Sequence, residues 1–106
     1  MPELQFLYRI QPTRPAMLSE GATDSEAEVV AAHFAYLKDL TERGTLIMAG
    51  RTLTADSTSF GLVVLEVDSE GEALALIEAD PAVAGKVMHA KLFPFRVALM
   101  TDKQEH

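Results

Sequence analysis

The chain has 106 residues, 48% of them hydrophobic, which is the size and apolar content of one globular domain. Sixteen acidic residues outnumber nine scattered basic ones and leave a formal net charge of −7. This balance argues against binding to nucleic acid or to an anionic membrane, because both partners need clustered Lys and Arg. The absence of cysteine excludes disulfides, thiolate metal sites and a cysteine nucleophile, and it fits a cytoplasmic protein.

Neither a secretion signal nor a membrane span is predicted. Residues 1–10 lack a basic region followed by an apolar core and a cleavage site, and the apolar runs elsewhere are far too short to cross a bilayer. We therefore expect a single cytoplasmic domain that covers residues 1–106.

The first half of the chain predicts a strand, a loop and a long helix. Leu4–Ile10 alternates apolar and polar side chains for most of its length, as a half-buried strand does. Residues 11–22 contain two prolines and a glycine, which predict a long loop of the kind that often covers a binding site. A capping box at residues 23–26 begins a helix predicted over residues 24–43, with Gly44 just beyond its end.

The second half predicts two strands, a second helix and a last strand. The predicted ranges are strands over residues 45–49 and 60–67, a helix from the capping box at 69–72 to about residue 80, and a strand over 87–99. The helix ends near Asp80 because Pro81 disfavours helical geometry at the preceding residue, and Pro81 can then begin one further turn. Pro94 indicates a bulge or an edge position in the last strand. We expect residues 101–106 to form a frayed tail.

This order of elements predicts a ferredoxin-like βαββαβ sandwich of the α+β class, with both helices on one face of an antiparallel sheet. Successive strand side chains point to opposite faces, so apolar residues such as Leu7 and Phe93 cannot all contact the helices. Since monomers rarely expose a large apolar patch, we expect a homodimer that packs sheet against sheet. The alternative is a monomer whose strands curl enough to hide the patch.

Two residues far apart in sequence are the candidates for chemistry. His33 lies on the apolar side of the first helix, where it is either a buried histidine bonded to a backbone carbonyl or a general acid and base. Asp80 is either a common helix-end residue or a carboxylate that orients a histidine. Both lie on inward-facing helix regions of one small domain, so the fold is able to bring them together.

Three further residues are candidates for substrate binding. Arg51 and Thr52 follow a glycine at the end of the second strand, a suitable place to hold an anionic group, although Arg51 could equally be a solvated loop charge. Arg14 lies in the long loop, which either covers the site or is mobile surface.

A metal site is a weaker alternative. His33, Asp80 and His89 offer nitrogen and oxygen ligands, but they have no local ligand spacing. We also find no nucleophile elbow, phosphate-binding loop or dinucleotide fingerprint. We therefore expect neither a bound metal nor another cofactor.

A set of short segments resembles the YCII-related, or YciI-like, proteins over nearly the whole chain. In order, these segments are His33–Leu37, Gly44–Leu46, Ala49–Gly50, Phe60–Gly61, Ala79–Val83 and Phe93–Phe95. The resemblance implies the dimeric α+β barrel fold and an active site built on His33 and Asp80. Many relatives read Ala-Gly-Pro where this chain has Ala49-Gly50-Arg51, so the chain has a cation at the expected pocket rim, which favours an anionic ligand.

We accordingly predict a small-molecule enzyme that performs elimination, isomerisation or hydrolysis without a bound cofactor. His33 would transfer a proton, Asp80 would orient the imidazole or share its proton, and Arg51, with Thr52 and Arg14, would bind the substrate. The alternative is a non-catalytic ligand-binding or accessory module, which a His33 sealed in the core would favour. A metal or haem protein is a third, weaker alternative.

Overall fold

The chain folds as the predicted βαββαβ sandwich, seen in a computed structural model that describes residues 4–101. Its elements are the strand β1 (Leu4–Pro12), the helices α1 (Ala16–Ser19) and α2 (Asp24–Glu42), the strands β2 (Leu46–Arg51) and β3 (Gly61–Val67), the helices α3 (Glu70–Ala79) and α4 (Pro81–Ala84), and the strand β4 (Met88–Phe95). Except for Thr101, the tail expected over residues 101–106 lies outside the described residues.

The four strands form one antiparallel sheet in the order β2-β3-β1-β4, which is the ferredoxin-like arrangement. The register places Leu7 beside both Val64 and Phe93. Pro94 lies in β4, at the edge of the sheet, where the missing amide donor is tolerated.

The core lies between the helices and one face of the sheet. Its fully buried side chains include Tyr8, Leu40 and Leu65. Truncation of a buried leucine to alanine typically costs about 2–5 kcal/mol, so these contacts hold α2 against the sheet. This packing fixes the inner face of α2, on which His33 and Leu40 are the buried residues.

Side-chain caps position the helices. The Thr23 hydroxyl accepts from the Glu26 amide at 3.1 Å, and the Glu26 carboxylate accepts from the Thr23 amide at 2.9 Å, which confirms the predicted capping box. At α3 only half of the second box forms. Ser69 accepts from the Glu72 amide at 3.1 Å, whereas the Glu72 carboxylate accepts from Asp68.

Several predicted boundaries were wrong. The segment predicted as a loop over 11–22 includes the end of β1 and the short α1. Strand β2 continues to Arg51, because Arg51 pairs with Gly61 across the sheet. Strand β4 ends at Phe95 rather than at Leu99.

The sheet face opposite the helices, which we call the outer face, carries apolar side chains as predicted. Leu7, Val64 and Phe93 are neighbours on it, and Phe95 is 40% exposed.

No helix among residues 4–101 is long and apolar enough to cross a membrane.

Candidate active site

Helix α2 directs His33 toward the start of α4, where the imidazole meets Asp80. Nδ1 of His33 lies 2.7 Å from Oδ1 and 3.0 Å from Oδ2 of Asp80. The His33 side chain is 9% exposed and that of Asp80 is fully buried. The ring is therefore bonded to a carboxylate, not to the backbone carbonyl that one interpretation of the sequence required.

Asp80 is held by three donors. Besides the imidazole, the Tyr8 hydroxyl donates to Oδ2 at 2.8 Å, and the Ala82 amide donates to Oδ1 at 2.9 Å. A buried carboxylate is stable only when its oxygens accept such bonds. The extended backbone of Asp80 between α3 and α4, imposed by Pro81, turns the carboxylate toward all three donors.

Tyr8 is a site residue that the sequence analysis missed. Burial and the charge of Asp80 raise the pKa of Tyr8 well above its ordinary value of 10, so the hydroxyl stays protonated and donates to the carboxylate. The available signal was the residue type itself, because a buried tyrosine hydroxyl nearly always needs a hydrogen-bond partner. The alternation of apolar and polar residues in β1 shows Tyr8 only as one of several inward-facing residues.

The Asp80 contact determines which imidazole nitrogen is free to react. A carboxylate beside Nδ1 holds the proton of the neutral ring on that nitrogen, which leaves the lone pair on Nε2. Among residues 4–101, no group forms a hydrogen bond with Nε2. The ring lines a cavity of about 770 Å³ between α2 and the strands β2 and β3. The arrangement can accept a proton from a molecule in that cavity and return it.

The cavity wall is mostly apolar, as small-molecule sites usually are. Apolar lining residues include Ile10, Met17, Phe34, Leu37 and Leu62. Its buried polar side chains are those of His33 and Ser59, and Arg51 is exposed at the rim. Asp80 lies behind His33 and does not line the cavity.

The remaining predicted site residues lie elsewhere. The Thr52 hydroxyl contacts Thr54, Ser59 and Phe60 and does not line the cavity. Arg14 donates two hydrogen bonds to Glu26, at 2.7 and 2.9 Å. The structure therefore brings His33 and Asp80 together beside the cavity and places Arg51 at the rim of the cavity. Thr52 and Arg14 do not line the cavity.

His89 does not join the other two residues of the weaker metal hypothesis. It is exposed on β4 and pairs with Gln11 on the outer face, whereas His33 faces the cavity. Within residues 4–101, no group of three or more His, Asp or Glu side chains could hold a metal ion.

The fold and site define an α+β protein with an imidazole–carboxylate pair beside a ligand-sized cavity. The chain belongs to the YCII-related domain family, whose model matches residues 6–96. No curated protein matches the sequence.

Among the solved structures that are similar to this chain, one is similar over most of both lengths. It is 5-chloro-2-hydroxyhydroquinone dehydrochlorinase (TftG) from Burkholderia phenoliruptrix AC1100, in complex with 2,5-dihydroxybenzoquinone. The two are 22% identical, with 88% of this chain and 94% of that chain covered, and the TM-score is 0.66. At this identity the likeness establishes the shared fold.

Proposed function

We propose that the protein is an enzyme that moves a proton on a small organic molecule, with His33 as general base and acid. The observation that carries this proposal is the geometry of the ring: Nδ1 is bonded to the buried Asp80, and the ring lines the cavity with Nε2 free of any partner among residues 4–101. Asp80 keeps the imidazole in one tautomer and stabilises the imidazolium that forms when Nε2 takes a proton.

The reaction we favour is an elimination or isomerisation that begins with proton abstraction, with hydrolysis as the remaining option. TftG is described as a dehydrochlorinase, and loss of hydrogen chloride requires a base. His33 is suited to that step, and no group in our proposal depends on a bound cofactor. The volume of about 770 Å³ and the apolar wall suit a ring-sized substrate.

We propose that Arg51 attracts the anionic part of the substrate at the rim of the cavity. Its guanidinium is exposed, so it acts through long-range attraction and through charge-assisted hydrogen bonds once the substrate arrives. Arg14 is not part of this proposal, because its guanidinium is bonded to Glu26.

We further propose that two copies pack through their outer faces. Arg9 and Lys91 lie opposite each other there and both contact the Phe93 ring, at 5.7 and 5.3 Å from its centroid. The Nε atom of Arg9 is buried without a partner among residues 4–101, which a second copy could supply. Sedimentation analysis should give the mass of a dimer, and a monomeric mass would contradict this.

The proposed chemistry is tested by His33→Gln, with His89→Gln as the matched control. Turnover of hydroxylated and halogenated rings, including 5-chloro-2-hydroxyhydroquinone, is followed by chloride release and absorbance. We expect His33→Gln to lower turnover by about 10²–10⁴-fold, because the general base is lost, and His89→Gln to leave it unchanged. Equal turnover by His33→Gln and the parent would contradict the proposal.

A further inference from the structure

The cavity has one buried polar group that the proposed proton transfer does not use. Ser59 is 5% exposed and lines the same cavity as His33. The hydroxyl of Thr41, which also lines the cavity, donates to the Leu37 carbonyl of its own helix at 2.8 Å. The Ser59 hydroxyl has no such bond to a carbonyl of its own segment and contacts the side chain of Thr52 instead.

The Ser59 hydroxyl has unused hydrogen-bonding capacity. Within residues 4–101 its side-chain contact is the Thr52 hydroxyl, at 3.2 Å. A serine hydroxyl can donate one hydrogen bond and accept two. A hydroxyl with one partner at 3.2 Å can form further hydrogen bonds, and an oxygen or nitrogen atom of a molecule in the cavity that Ser59 lines is able to form one of them.

The segment between β2 and β3 holds Ser59 firmly in place. Its amide donates to the Asp56 carbonyl at 3.0 Å, and its carbonyl accepts from the Gln11 side chain at 3.3 Å. The Thr52 amide donates to the Phe60 carbonyl at 2.9 Å, and the Phe60 amide donates to the Thr52 hydroxyl at 3.1 Å. The Thr52 hydroxyl contacts both Ser59 and Phe60 and so helps to hold Ser59 in place, and such fixed groups recognise ligands well.

We propose that Ser59 binds an oxygen of the ligand at a subsite separate from His33. The ligand is then a small ring with an apolar body and at least two oxygen functions, one that meets the imidazole and one that meets the Ser59 hydroxyl. This inference rests on the proposed function in one respect, which is that the reacting end of the ligand meets His33. The second oxygen contributes binding and orientation, and Ser59 transfers no proton.

The test compares phenol, which has one oxygen, with catechol, resorcinol and hydroquinone, which have two. Dissociation constants are measured by calorimetry or by NMR titration for the parent, Ser59→Ala and Ser57→Ala. Ser57 lies in the same segment but does not line the cavity, so it is the matched control. We expect at least one dihydroxybenzene to bind the parent about tenfold more tightly than phenol, as one additional hydrogen bond would give.

Ser59→Ala should remove that advantage and leave phenol binding unchanged, while Ser57→Ala should behave as the parent. The inference is overturned if Ser59→Ala weakens phenol and the dihydroxybenzenes equally, or if the parent does not distinguish them or binds none of them. These are binding measurements, so they stay separate from turnover. His33→Gln could retain full turnover, and so refute the proposed chemistry, while the Ser59 result still held.

Discussion

Asp80 and Glu26 are two carboxylates with nearly the same local role and very different surroundings. Each accepts a backbone amide at a helix N-terminus, from Ala82 and Thr23 respectively, both at 2.9 Å. Each also accepts from a basic side chain, His33 for Asp80 and Arg14 for Glu26, both at 2.7 Å. The Asp80 side chain is fully buried, whereas the Glu26 side chain is 14% exposed and that of its arginine partner is 41% exposed.

The difference shows how a capping carboxylate becomes part of a reactive site. Arginine keeps its proton at any ordinary pH, so the Glu26 pair can only hold a loop against a helix. An imidazole can gain and lose a proton near neutral pH, so the Asp80 pair can do chemistry if the second nitrogen reaches a ligand. Burial adds the need for a third donor, which Tyr8 supplies.

The largest expected effect comes from Asp80→Asn, which removes the charge but retains an acceptor for the Ala82 amide. Turnover should fall by about 10²–10⁴-fold, because the imidazolium loses its counter-charge and the ring its fixed tautomer. The ¹⁵N NMR shifts of the His33 ring should show that the ring proton is no longer held on Nδ1. Glu26→Gln is the matched control and should leave both unchanged. Unchanged ring shifts in Asp80→Asn would mean that the two side chains do not interact.

Tyr8→Phe should have an intermediate effect, because it removes one of three donors and leaves Oδ2 of Asp80 with only its longer contact to the imidazole, at 3.0 Å. We expect a loss of about 1.5–3 kcal/mol in the free energy of unfolding, measured with urea. Turnover should fall less than in Asp80→Asn, because the carboxylate and its contact with the imidazole remain.

Tyr36→Phe is the control for that variant, since the Tyr36 hydroxyl donates to the Leu76 carbonyl at 2.6 Å and not to Asp80. It should lower stability without lowering turnover. If both variants lower turnover equally, Tyr8 has only a structural role.

The smallest expected effect is the pH dependence of the surface pair. The hydrogen bond from Arg14, together with the Thr23 amide, lowers the pKa of Glu26 from its ordinary value of 4.5 to about 2. A lowered folded-state pKa contributes stability that is present above pH 4.5 and lost as the pH falls through about 2.

The stability difference between the parent and Glu26→Gln should therefore exist at neutral pH and vanish toward pH 2. Urea unfolding at several pH values checks this, with the exposed Glu28→Gln as control. A difference that persists unchanged at pH 2 would show that the charge of Glu26 contributes nothing.

Local signals predicted the framework and half of the site. The capping box at Thr23 and the proline after Asp80 act on adjacent backbone, so the sequence reveals them directly. The helix positions of His33 and Asp80, which are 47 residues apart, made their pairing possible, and the family resemblance favoured it. The Tyr8 contact spans 72 residues, and only the register of β1 in the sheet brings that hydroxyl to Asp80.

The polar contacts around the cavity were the hardest part to predict. Ser59 looked like any polar loop residue, since its burial depends on how the segment folds back between β2 and β3. Arg14 was expected at the substrate, but Glu26 lies one helical turn into α2, where it forms a bidentate pair with the guanidinium. Tertiary geometry decides whether a polar side chain faces solvent, contacts a ligand or forms an ion pair, and the periodicity of the sequence does not reveal this.

Asp80 lies at the bend where α3 ends and α4 begins. Its side chain both caps α4 and orients the imidazole of His33. A descendant that lacked the proposed chemistry would still need an acceptor for the Ala82 amide at this bend. In such a descendant we expect substitutions at His33 to appear earlier than substitutions at Asp80.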